Sequence, residues 1–221
     1  MPQVANDPSP ESVKMPEALD PSSLREISRR VSGFTESLID GAEPTHSKNS
    51  QAVKELAEAG LRNLNTVLIS NPALLSDRAV RYGVNKTLAR LNPDPENPRI
   101  HRAVSSVDSP FGLAAAFERA GIILREDMKS PEEHYRLIGR LASGSLRTLA
   151  VVNSRIQEIE DGIAIATAER GKQDAPLEYR LPVRNSSELD QELVGAIGHF
   201  TAAETKRNHE HPDLGKISGI A

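Results

Sequence analysis

From Ser130 to about residue 170 the chain keeps a helical apolar period with no proline after Pro131, and this run constrains the fold more than any other feature. Ser130, Pro131 and Glu133 supply a cap, a first-turn proline and an early acid, which together mark a helix start. At ~1.5 Å per residue an unbroken helix over that run is roughly 60 Å long. A compact chain of this size has a radius of gyration of about 16 Å, hence a diameter near 40 Å. The helix must therefore protrude or break. Ser143, Gly144 and Ser145 sit in the middle of the run, and an interior glycine costs roughly 1 kcal/mol relative to alanine. The sequence thus predicts a break or kink there, followed by a second arm over 146–170 that fits within the globule.

That arm carries the cleanest stripe in the chain: Leu149, Val152, Ile156, Ile159, Ile163 and Ala166 recur at alternating steps of three and four. The run spans only about two and a half heptads, short of the three or four that a coiled coil needs. A core helix of an intramolecular bundle is the first reading, and a seam for a partner helix through Leu149, Val152, Ile156, Ile159 and Ile163 is the second.

Elsewhere the same period recurs. Leu24, Ile27, Val31, Phe34 and Leu38 predict a helix over 24–39, opened by Ser23 and Glu26 at capping-box spacing and closed by Gly41 and Pro44. A second helix is predicted over 50–69, with Val53, Leu56, Ala57, Leu61, Leu64 and Leu68 inside. Asn71 and Pro72 read as cap and first residue of a third, over 72–91. Pro110 opens a short helix ending near Gly121, and a last helix begins near Ser187, burying Leu189, Leu193, Ile197 and Phe200 and fading after Lys206. Over 175–184, Leu177, Tyr179, Leu181 and Val183 alternate with polar residues or proline, the pattern of an edge strand, whose partner would be Ile122 to Arg125.

The expected architecture is mainly α, a bundle of six to eight helices with at most one short edge strand or hairpin. Residues 1–22 read as a disordered tail because five prolines interrupt them without apolar periodicity. An N-terminal helical lobe follows over 23–91, then a Pro-rich connector at 92–99, a C-terminal helical lobe over 100–207 and a frayed tail over 208–221.

Composition narrows the chemistry. The chain has 221 residues, no cysteine, a formal charge of -4 and only 3% aromatic residues. Disulfides, thiolate metal sites and a cysteine nucleophile are therefore excluded, and base-stacking platforms are scarce. No stretch approaches the ~18 apolar residues of a membrane span, and no basic stub with an apolar core opens the chain, so the expectation is a soluble protein without a cleaved secretory signal.

Known catalytic patterns fail on spacing. His209, Glu210 and His211 lack the four-residue separation that sets two imidazoles on one helix face, so no metal is assigned. Gly171-Lys172 and Gly215-Lys216 lack the following Ser or Thr and the upstream glycine of a phosphate loop, and no GxSxG elbow is present. Glu126 with Asp127, and Glu132 with Glu133, lie at helix boundaries, where first-turn N–H groups account for them. No cofactor and no catalytic residue is assigned. One segment departs from the acidic average: Arg78, Arg81, Lys86 and Arg90, continued by Arg99, His101 and Arg102, form a basic stretch able to face an anion. Arg136, Arg140 and Arg147 form a smaller stripe that reads as a solvated face.

The first functional expectation is a non-catalytic helical protein–protein interaction module, an adaptor, assembly or regulatory protein, binding another protein or itself as a homodimer through 146–170. It is placed in the cytoplasm. A bacterial effector delivered into a host cell by a specialised secretion system through residues 1–22 is a second expectation, and a nucleic-acid-associated protein using 78–102 a third. An enzyme with a dispersed site ranks last.

Overall fold

The computed structural model describes residues 20–44, 46–89, 110–125, 131–170 and 187–212. They form six α-helices and no strand: α1 (Pro21–Asp40), α2 (Lys48–Ser70), α3 (Arg78–Val84), α4 (Pro110–Arg125), α5 (Pro131–Arg170) and α6 (Ser187–Glu210). A 3-10 turn over Pro72–Ser76 precedes α3, and a π turn over Asn85–Ala89 follows it. The mainly α expectation holds. The anticipated strand over 175–184 and the connector at 92–99 lie outside the described residues, but Ile122 to Arg125 are helical and cannot pair with a strand. The helix runs past Gly121 because Leu113, Ala116, Ala120 and Ile123 continue one buried face at steps of three, four and three.

The principal correction concerns α5, which does not kink at Ser143, Gly144 and Ser145 but runs unbroken for 40 residues. The small residues there are seats for other helices. Ser28 on α1 donates its hydroxyl to the Ser143 carbonyl at 2.8 Å. A Cβ at Gly144 would stand 2.8 Å from the Thr87 Oγ1 of the π turn, and one at Gly60 on α2 would collide with the Ser145 side chain. The helix penalty of glycine is offset by the dispersion contacts that close approach allows. Gly139 repeats the device against Thr35 of α1.

The α5 and π-turn contact is reciprocal. Thr148 packs onto Gly83 as Thr87 packs onto Gly144, each threonine hydroxyl donates to the carbonyl of the glycine four residues before it, and the two hydroxyls lie 3.2 Å apart. Around this contact, Leu141, Ala142, Leu146, Ala150 and Val152 are buried on successive faces of α5, making its first half the centre of the bundle. Arg25 reaching Ser154, and Ser28 reaching Ser143, set α1 antiparallel to α5. Arg62 pairing with Glu192, and Glu55 with His199, set α6 antiparallel to α2. One continuous core draws on residues from Leu24 to Phe200.

Helix ends also shift from expectation. Asp20, not Ser23, caps α1, accepting from the N–H groups of Ser22 and Ser23 at 3.1 and 3.2 Å, so residues 20–22 belong to the helix start and not to a tail. Glu26 pairs with Arg29 instead of reaching back. Ser47 caps α2, its hydroxyl oxygen accepting from Ser50 N–H at 3.1 Å. The Asn71 amide closes α2 by donating to the Val67 carbonyl, so it does not cap a helix at Pro72; Asp77 caps α3 six residues later, accepting from Ala79 and Val80 N–H at 2.8 and 3.0 Å. At its far end α6 continues beyond Lys206 to Glu210, into the expected frayed tail.

Candidate functional site

The stripe singled out on α5 divides as the helix leaves the core. Leu149 and Val152 are 3% and 0% exposed, Ile156 is half-buried against the core, and Ile159 is 43% exposed. Ile163 falls where the backbone is helical but the side chain is not described. The division follows from where the neighbouring helices begin. α1 starts at Pro21, with Arg25 reaching Ser154, and α3 starts beside Arg155, which pairs with Asp77 at 3.1 Å. Past this level Gln157, Glu158, Ile159, Asp161 and Gly162 are exposed, and a Cβ added to Gly162 would meet nothing. Gly139 and Gly144, by contrast, each seat a side chain.

Arg155 secures that level from two directions, pairing with Glu158 on its own helix and with Asp77 at the start of α3. These contacts raise the Arg155 pKa, the Glu158 hydrogen bond being the larger cause. The Val80 N–H, more than any other group, holds the Asp77 carboxyl below its ordinary value, with the Ala79 N–H and the Arg155 charge assisting.

The basic stretch is only partly assembled. Arg78, Arg81 and Lys86 are exposed on α3 and the π turn, and Arg90 lies outside the described residues. Tyr82 is 65% exposed among them, with the Lys86 ammonium 5.8 Å from its ring centroid.

A shallow groove of about 240 Å³ lies between α2 and α6, lined by Glu55, Glu58, Ala59, Glu192, Gly195, Ala196 and His199. Its wall charges are in part engaged, His199 Nδ1 lying 3.2 Å from Glu55 and Arg62 pairing with Glu192. Among the described residues no three His, Asp or Glu side chains converge to hold a metal ion. His209, Glu210 and His211 are exposed at the end of α6.

Sequence reading missed a buried polar cluster where α6 meets the α1–α2 turn. Glu204 and Arg207, each 3% exposed, pair with Arg30 and Glu43 respectively. Arg207 Nη2 also donates to the Ser37 carbonyl at 2.7 Å, the Tyr135 hydroxyl donates to the Glu43 carbonyl at 3.0 Å, and the Ser47 hydroxyl donates to the Glu43 carboxylate at 3.1 Å. Gly41 leaves room for the guanidinium, since a Cβ there would stand 2.8 Å from Nη2. Burial lowers the Arg207 pKa and raises that of Tyr135. A signal did exist: Leu193, Ile197, Phe200, Glu204 and Arg207 recur at four, three, four and three, so the two charges occupy the positions at which apolar residues would continue the stripe.

Among the described residues none of these clusters joins a nucleophile, a base and a cavity in one place. No protein-family model, curated protein or solved structure matches the chain.

Proposed function

We propose that this chain is a non-catalytic helical interaction module that presents the emergent part of α5 to a partner helix, in another protein or a second copy of itself. One observation carries the reading: a single stripe passes from Val152 at 0% exposure to Ile159 at 43% without leaving the helix. Its apolar period outlasts the neighbours that bury it, and a buried apolar side chain of this size gains about 1.5–3 kcal/mol over an exposed one. Ile159→Arg tests the reading. Concentration-dependent light scattering and affinity capture should show wild-type association lost at least ten-fold in the variant, with the melt little changed because Ile159 is 43% exposed. Equal association by both proteins would reject the assignment.

The exposed Tyr82, with Arg78, Arg81 and Lys86 around it, favours a second reading in which this face binds nucleic acid. That reading requires binding that weakens steeply with salt, since phosphate contacts release counterions. No binding to a single-stranded oligonucleotide at low salt would remove it. No described helix is long and apolar enough to cross a membrane. Within the proposal the protein works in the cytoplasm, delivery into a host cell being the alternative that deletion of 1–19, which spares the Asp20 cap, would test.

A further inference from the structure

We infer that the last three turns of α6 are a clasp that opens as a unit while the rest of the bundle stays folded, uncovering the face of α1 around Phe34. The inference rests on how the helix is held and is independent of the partner-helix reading.

Over its last three turns the buried side chains of α6 are Phe200, Glu204 and Arg207, so two of these three anchors are charged. Phe200 meets Phe34 edge-on at a centroid separation of 5.4 Å. Beside it, Glu204 pairs with Arg30 and Arg207 reaches the Glu43 carboxylate and the Ser37 carbonyl. Glu204 Oε1 and Arg207 Nε are nevertheless buried with no hydrogen-bond partner among the described residues. Desolvating two charges consumes most of the Coulomb gain unless every lone pair and proton is satisfied, and here one atom of each is not. Water satisfies both atoms when these turns depart. The acceptors and cations left behind, at Arg30, Glu43 and Ser37, lie at or near the surface in the open state and can be hydrated as well.

The centre of the bundle has no such exit. Leu141, Leu146, Ala150 and Val152 of α5 are buried among α1, α2 and α3, and Gly139 and Gly144 lock Thr35 and Thr87 into place. Native proteins open in cooperative units whose free energies range from near zero to the global value, and helical turns held by charged anchors with unsatisfied atoms belong to the low end.

Native-state hydrogen exchange on the full chain, read by mass spectrometry on peptides covering 200–210 and 137–152, tests this. Amides of α6 should exchange at least ten-fold faster than those of α5 in the wild type. Arg207→Met, which strands the Glu43 carboxylate in the closed state, should accelerate α6 by a further ten-fold, with α6 still exchanging at least ten-fold faster than 137–152. Glu43→Leu combined with Arg207→Met should restore wild-type protection to within about three-fold, which general damage to the helix would not do. Equal protection of the two peptides in the wild type overturns the inference, as does unchanged exchange of α6 in the single variant or failure of the double variant to recover. If Arg207→Met does not fold, the wild-type ratio and the double variant decide the matter.

Discussion

The seam between α1 and α5 and the end of α6 solve the same problem, joining a helix to the core, with opposite materials. In the seam, Leu24, Ile27 and Val31 meet a helix whose glycines and serines admit the neighbouring backbone, and the polar atoms present are satisfied locally: Thr35 donates to the Val31 carbonyl at 2.7 Å and Ser28 to the Ser143 carbonyl. At the end of α6 the contact is made by the tips of long side chains bearing full charges. The first arrangement leaves nothing for water to gain on separation; the second leaves two buried atoms that water alone satisfies. Stability is thereby concentrated along α5, and the freedom to move lies at the end of α6.

The contrast can be broken most forcefully in the seam. Gly139→Leu would drive a side chain into Thr35 and should cost about 3 kcal/mol in urea unfolding, at the upper end of overpacking penalties. At the clasp, Arg207→Met should cost roughly 2 kcal/mol, below the 3–5 kcal/mol typical of fully buried pairs because Glu43 stays partly exposed and water can reach it. If the two penalties came in reverse order, the seam would not be the stable element.

Asp77→Ala removes the cap of α3 and should cost about 1 kcal/mol. The sign of its pH dependence is fixed by the direction of the shift. The folded Asp77 carboxyl titrates below its unfolded value, so its contribution is complete above the unfolded pKa and disappears as the pH falls through the folded one. The wild type should therefore lose stability relative to Asp77→Ala on acidification below about pH 4, a difference measurable by melts across that range.

The smallest effect is a gain. Ala42 sits at φ 48°, the left-handed position after α1, where Glu43 N–H bonds the Leu38 carbonyl and Ala42 N–H the Ile39 carbonyl. Glycine adopts that conformation without the Cβ penalty, so Ala42→Gly should raise stability by roughly 0.5–1 kcal/mol in the same unfolding assay. A loss there would mean that the turn supporting Glu43 depends on the alanine side chain.

Much of the fold was legible because its signals are local. The apolar positions of α1 and α2, and Leu193, Ile197 and Phe200 of α6, were read from spacing alone and are buried. The candidate site was legible only in part. The stripe from Leu149 to Ile163 is visible in the sequence, but the place where it leaves the core depends on where α1 and α3 begin in space. Arg78, Arg81 and Lys86 were legible as charges, whereas the exposure of Tyr82 beside them was not. The buried pairs of Glu204 and Arg207 join residues more than 160 positions apart in the chain, beyond the reach of any periodicity.

Ser143, Gly144 and Ser145 show most plainly what each level decides. A one-dimensional reading assigns small residues inside a helix their intrinsic cost, and that cost predicts a break. Three dimensions add Ser28, Gly60 and Thr87, which approach because nothing bulky stands in the way, and their contacts keep the helix whole. Periodicity therefore determined which residues are helical and which face turns inward, because helical propensity and burial act over a few residues. Continuity of the long helix, the point at which its stripe emerges and the pairing of charges across the bundle were decided by tertiary structure, because each depends on groups that meet only after the chain has folded.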